Sequence, residues 1–144
     1  MPRPPTFQLT MPVVRAETLE VRSASDVVTV RQIVRSWAIE AGFTLVDQTK
    51  IVTAASEIAR NTIDYGTGGI ARLELLNDES RRGLRVSFED KGPGIPDIER
   101  AMTDHFSTGN GLGLGLGGAR RLVNEFDLTS RVGEGTRVVL TRWK

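Results

Sequence analysis

The chain has 144 residues, with 19 lysines and arginines against 18 aspartates and glutamates, and no cysteine. That length suits one average domain, which buries about two-thirds of its unfolded surface and needs no covalent staple. A net charge of +1 offers no general pull towards nucleic acid or anionic membrane. The missing cysteines exclude disulfides, thiolate zinc sites, iron–sulfur clusters and a cysteine nucleophile, and a single histidine, His105, excludes a multi-histidine metal site.

Residues 1–14 hold four of the six prolines, which remove amide donors and fix φ, so a mobile tail is expected there, followed by one domain over 15–144. Met11-Pro12 offers an alternative start to the chain. Neither a signal-peptide run nor a membrane span is evident, which makes a cytoplasmic location the expectation. Glu17–Arg22 alternates charged and apolar residues, the period of a half-buried strand. Ser25 or Asp26 then caps a helix whose apolar side is Val27, Val30, Val34, Trp37 and Ala41, with Gly42 as its stop. Thr44 opens a second helix that runs to about Tyr65 and Gly66, with Val52, Ala55, Ala59 and Ile63 along one side. Ile70–Leu76 and Leu84–Glu89 read as a hairpin across the polar segment Asn77–Gly83.

After Asp90, two glycines and two prolines in KGPGIP forbid regular structure, and 97–114 is polar and dotted with glycine. Ala119–Phe126 reads as a third helix, and Asp127–Val132 with Thr136–Arg142 as a closing strand pair around Gly133-Glu134-Gly135. The order β-α-α-β-β-loop-α-β-β predicts a two-layer α/β sandwich, with a mostly antiparallel mixed sheet covered by helices on one face.

Three constellations carry chemistry. Glu57 and Asn61 stand one helical turn apart and so share a face. A carboxylate beside an amide oxygen suits a hard cation such as magnesium, with the carboxylate polarising a hydroxyl; the same pair also suits a solvated helix face. Asp90, at a strand end before Gly92 and Gly94, can accept a hydrogen bond from an exocyclic amine while the glycines admit a flat ring, or it can close an Asx turn. Gly109–Gly118 carries six glycines in ten residues ahead of a helix, an entropic cost that a bland loop does not explain and a phosphate cradle or lid does.

Gly113, Gly115 and Gly118 also fit the dinucleotide pattern G-x-G-x-x-G, but TDHFSTGN before them is no strand, so that reading fails on context. No Gly-Lys-Ser/Thr loop and no H-R-D segment is present, which removes the Walker and eukaryotic-type kinase readings.

Taken together, the order and spacing of these motifs resemble the GHKL family of ATP-binding domains, the Bergerat fold. Glu57–Asn61 resembles its N box, Asp90-x-Gly92-x-Gly94 its D-x-G-x-G box, Gly111–Gly115 its second glycine box and Gly135-Thr136 its final Gly-Thr, so that the similarity spans about residues 16–143. Within the family, STGNGLGLGLGGARRLVNEFDL and GEGTRVVLTRWK look most like the small serine/threonine kinases of the RsbT stressosome type, then the RsbW anti-sigma type.

The resemblance implies an ATP-dependent protein kinase that phosphorylates a STAS-domain partner and activates a PP2C-like phosphatase, or alternatively an anti-sigma factor that sequesters a sigma factor. It implies ATP and Mg²⁺, with Glu57 as catalytic base and Asn61 as the metal ligand. Asp90 would read the adenine amino group, Gly92, Gly94 and Thr136 would line its pocket, and Gly111, Gly113 and Gly115 would hold the phosphates. Tyr65 is a second phosphate contact or an ordinary rim tyrosine. His105 lies in the lid, and by the same resemblance it is a lid contact rather than a phospho-acceptor.

Overall fold

The computed structural model describes residues 13–78, 80–103 and 115–144. The elements in order are β1 (Val13–Val21), α1 (Ala24–Glu40), α2 (Leu45–Asp64), β2 (Gly69–Asn77), β3 (Arg82–Asp90), α3 (Ile98–Ala101), α4 (Leu116–Arg121), β4 (Glu125–Arg131) and β5 (Gly135–Trp143). The five strands form one sheet in the order β1-β2-β3-β5-β4, and all four pairings are antiparallel.

Each helix begins and ends for a local reason. The first turn of α1 starts at Ser23 rather than at Ser25 or Asp26. The Asp26 carboxylate instead reaches back to the Ser23 and Arg22 amides, at 3.1 and 2.8 Å, and satisfies donors that the helix leaves open. The far end of α1 closes at Gly42, whose φ of +88° allows Gly42 N–H to reach Ile39 O and Phe43 N–H to reach Ala38 O. Thr44 caps α2 as its position predicts, its Oγ1 accepting from the Asp47 amide at 3.2 Å.

Alternation along the strands splits the sheet into two faces. Ala71, Leu73 and Leu75 of β2, Leu84, Val86 and Phe88 of β3, and Val138 and Leu140 of β5 point inward and are buried. They meet Val30, Val34 and Trp37 of α1 and Ile51, Ala54, Ala55, Ile58 and Ala59 of α2 in one core. The small side chains of α2 let that helix lie close to β3, which brings its Glu57–Asn61 turn to the sheet's end.

Three expectations are corrected. β1 spans Val13–Val21, starting four residues before the expected strand at Glu17; residues 1–12 lie outside the described part of the chain. The segment from 97 contains the short helix α3, capped by Asp97 Oδ1 on the Arg100 amide at 3.0 Å. The helix expected over Ala119–Phe126 is α4, which starts at Leu116 and ends at Arg121, and Glu125 and Phe126 belong to β4 instead. The spacing of Leu122, Val123 and Phe126 looks helical, but Asn124 commits the chain to the sheet. Its amide bonds Thr141 O at 2.9 Å and its Oδ1 accepts from the Trp143 amide at 2.6 Å.

Candidate nucleotide site

Asp90 is the last residue of β3, opposite Gly69 on one side and Thr136 on the other. Its Oδ1 accepts from the Gly92 amide at 2.9 Å and from the Thr136 amide at 3.2 Å. Two backbone donors on one oxygen fix the carboxylate's plane and leave Oδ2 as the acceptor for something else.

Glycines make room around this carboxylate. A side chain at Gly66 would collide with Asp90 Oδ2, one at Gly92 with the backbone of Gly66, one at Gly94 with Arg131 O and one at Gly135 with Asp90 O. Gly94 and Gly135 also sit at positive φ, +82° and +116°. Gly92, Gly94 and Gly135 were legible as motif glycines. Gly66 reads from sequence only as a helix stop, yet it borders the acceptor oxygen.

Ser130 has no sequence signal, and the structure gives it a task. Its Oγ receives the Ile95 amide at 2.8 Å, lies 3.2 Å from Gly135 O and 2.7 Å from Thr136 Oγ1, and so pins the loop after Asp90 to the β4–β5 turn.

Beside Asp90 opens a cavity of about 430 Å³, within the range of small-molecule sites. Ile58, Phe88, Ile95, Leu116 and Val138 give it apolar walls, and Asp90, Asn61, Tyr65, Gly94 and Thr136 all line it. An apolar slot with a few convergent polar groups suits an aromatic ring better than a charged polymer. Asn61 and Ile58 place the C-terminal part of α2 on this wall, whereas exposed Glu57 stands one turn before Asn61 and is not among the lining residues.

Gly115 meets Glu57 there. Its φ is +73°, and a Cβ on it would lie 2.6 Å from Glu57 Oε2. Gly115, the N-cap of α4, therefore starts that helix directly against the carboxylate. Gly111, Gly113 and His105 lie outside the described residues.

No cluster of three or more acidic or histidine side chains that would hold a metal occurs among the described residues. The donor set present, Asn61 with Glu57 nearby, fits a magnesium ion that takes most of its ligands from phosphates and water.

The family model described as histidine kinase-, DNA gyrase B-, and HSP90-like ATPase matches residues 46–144. The chain belongs to this family of ATPases. It is 48% identical over 118 residues to the serine/threonine-protein kinase RsbT of Bacillus subtilis (strain 168), a match that covers 82% of this chain and 89% of that protein. An anti-sigma F factor of Thermoanaerobacter sp. (strain X514) is 29% identical over 117 residues, 78% of this chain and 82% of that one. The fold matches the crystal structure of the RsbU and RsbW domains of Rv1364c from Mycobacterium tuberculosis at a TM-score of 0.60 and 23% identity. That match covers 91% of this chain but only 33% of the other. It also matches the SiaB-SiaC complex structure from Pseudomonas aeruginosa at 0.56 and 12% identity, over 96% and 94%. With such relatives the chain is an ATP-binding enzyme of the serine/threonine-protein kinase type, in the partner-switching branch that anti-sigma F factors share. No helix among the described residues is long and apolar enough to cross a membrane.

Proposed function

We propose that the chain transfers the γ-phosphoryl group of ATP to a serine or threonine of a STAS-domain protein, and that phosphorylation frees the kinase to activate a PP2C-like phosphatase. The observation that carries the nucleotide part is the Asp90 carboxylate, one oxygen held by two amides and the other kept open by Gly66 at the end of an apolar cavity. An adenine amino group is the complementary donor. Gly92, Gly94 and Thr136 close around the ring, and Gly115, with Gly111 and Gly113 before it, holds the phosphates.

In the transfer, Glu57 takes the proton of the acceptor hydroxyl. That oxygen then bonds the γ-phosphorus, the bond from phosphorus to the β-bridging oxygen breaks, and ADP leaves with that electron pair. Asn61 would ligate Mg²⁺, which neutralises charge on the phosphates when bound. Exposure of Glu57 suits a base that must meet a residue of another protein.

Incubation with γ-labelled ATP, Mg²⁺ and a STAS-domain protein from the same genome tests this reading. Wild type should label a serine or threonine. Glu57→Gln should bind Mg-ATP within about twofold of wild type and lose transfer by at least about a hundredfold, the scale of a general base. Undiminished transfer by Glu57→Gln would remove Glu57 from that role. The anti-sigma F relatives favour a second reading, a sigma factor held as partner, for which complex formation without labelling of a STAS protein is the expected result.

A further inference from the structure

Arg142 lies near the end of β5, on the strand face that meets the helices, with only 14% of its side chain exposed. Its guanidinium joins three elements. Nη2 donates to Asp47 Oδ1 in the first turn of α2 at 2.6 Å, and Nη1 donates to the carbonyl of Leu122, the C-cap of α4, at 3.0 Å. Its Nε is buried with no hydrogen-bond partner among the described residues.

The geometry points to Arg142 as a positioning residue for the nucleotide site, acting through α4; this rests on the ATP-binding reading above. α4 has six residues, too few to hold a helix by its own hydrogen bonds. Yet its first residue, Leu116, forms a cavity wall, and Gly115 before it abuts Glu57. Leu116 and Ala119 bury one side of α4, and Arg142 fixes its other end, a cation on the carbonyl terminus of a helix. Because the same guanidinium holds the first turn of α2, the glycine-rich segment's anchor and the helix carrying Glu57 and Asn61 are tied to one strand. A lysine offers a single point charge and cannot span both acceptors.

The test uses the full chain as Arg142→Lys and Asp47→Asn, with amide hydrogen exchange on the nucleotide-free protein and Mg-ADP binding by calorimetry. Arg142→Lys keeps charge towards Asp47 and gives up Leu122 O. It should speed exchange across 116–122 at least about tenfold and weaken Mg-ADP binding about tenfold, the scale of one charged hydrogen bond. Asp47→Asn keeps an acceptor for Nη2 and leaves the Leu122 bond in place, so both readouts should stay within about twofold of wild type. Unchanged exchange in Arg142→Lys would overturn the proposal. So would faster exchange with unchanged affinity, or losses of affinity in both variants that only follow their melting temperatures. If wild type itself binds no Mg-ADP, the ATP-binding reading and the link to the site both fail, while the exchange arm still decides whether Arg142 holds α4.

Discussion

At the scale of single residues, the site depends on side chains that are missing as much as on those present. Gly66→Ala would push a methyl against Asp90 Oδ2, the oxygen that the Gly92 and Thr136 amides do not use. Calorimetry should show Mg-ATP affinity down by at least about tenfold, with the fold retained by circular dichroism. Unaltered affinity would mean that Oδ2 is not the contact. Gly118, in the glycine-rich stretch Gly109–Gly118, is the counter-example. A Cβ there would meet nothing within 4 Å, and the residue sits inside α4. Gly118→Ala should therefore raise stability by about 0.5–1 kcal/mol in urea titration and leave nucleotide binding alone. The pattern G-x-G-x-x-G makes Gly115 and Gly118 look equivalent, and the fold separates them, since only at Gly115 would a Cβ strike Glu57.

Among the elements, the two long helices and the central strands were legible because their signals are local. Thr44 as a cap, Gly42 as a stop and alternation in β2 and β3 need no tertiary knowledge. The start of β4 was not legible, since Phe126 fits either period and the choice is made by Asn124 bonding β5. Arg142 likewise reads as an ordinary cation in an alternating strand, and its burial against Asp47 and Leu122 depends on α2 and α4 packing over it.

That packing has a consequence for pH. The Arg142 hydrogen bond, aided by its charge and by Thr44 and Lys50, holds the Asp47 carboxyl below its ordinary value of 3.8, with burial opposing the shift. A depressed folded value means that the pair's stabilisation is complete above the unfolded pKa and is lost as pH falls through the folded one. The stability gap between wild type and Asp47→Asn should thus be constant from about pH 7 to about pH 5 and shrink below about pH 4. A gap that persists at about pH 2 would show that the carboxylate charge contributes nothing. Core contacts behave differently. Leu73→Ala, at a fully buried β2 position, should cost about 3 kcal/mol at every pH by denaturant titration.

Over the whole molecule, the sheet delivers a site that no single segment contains. Asp90 comes from β3, Thr136 from β5, Ser130 from β4, Asn61 from α2 and Leu116 from α4, and they meet at one end of the layer where helices cover the strands. Motif spacing made the carboxylate, the amide and the motif glycines visible in the sequence. Gly66, Ser130 and Arg142 stayed invisible because each acts only through a neighbour that folding brings to it. The central claim is that Asp90 reads the nucleotide base in this cavity, and Mg-ATP binding by calorimetry to wild type and Asp90→Asn tests it most directly. In the variant, Oδ1 must still face the Gly92 and Thr136 amides, which turns the amide NH₂ group towards the ring's amino donor. Wild type should bind and Asp90→Asn should bind at least about thirtyfold more weakly, the cost of a lost charged hydrogen bond plus an opposed donor. Equal binding by the two proteins would contradict the site assigned to Asp90.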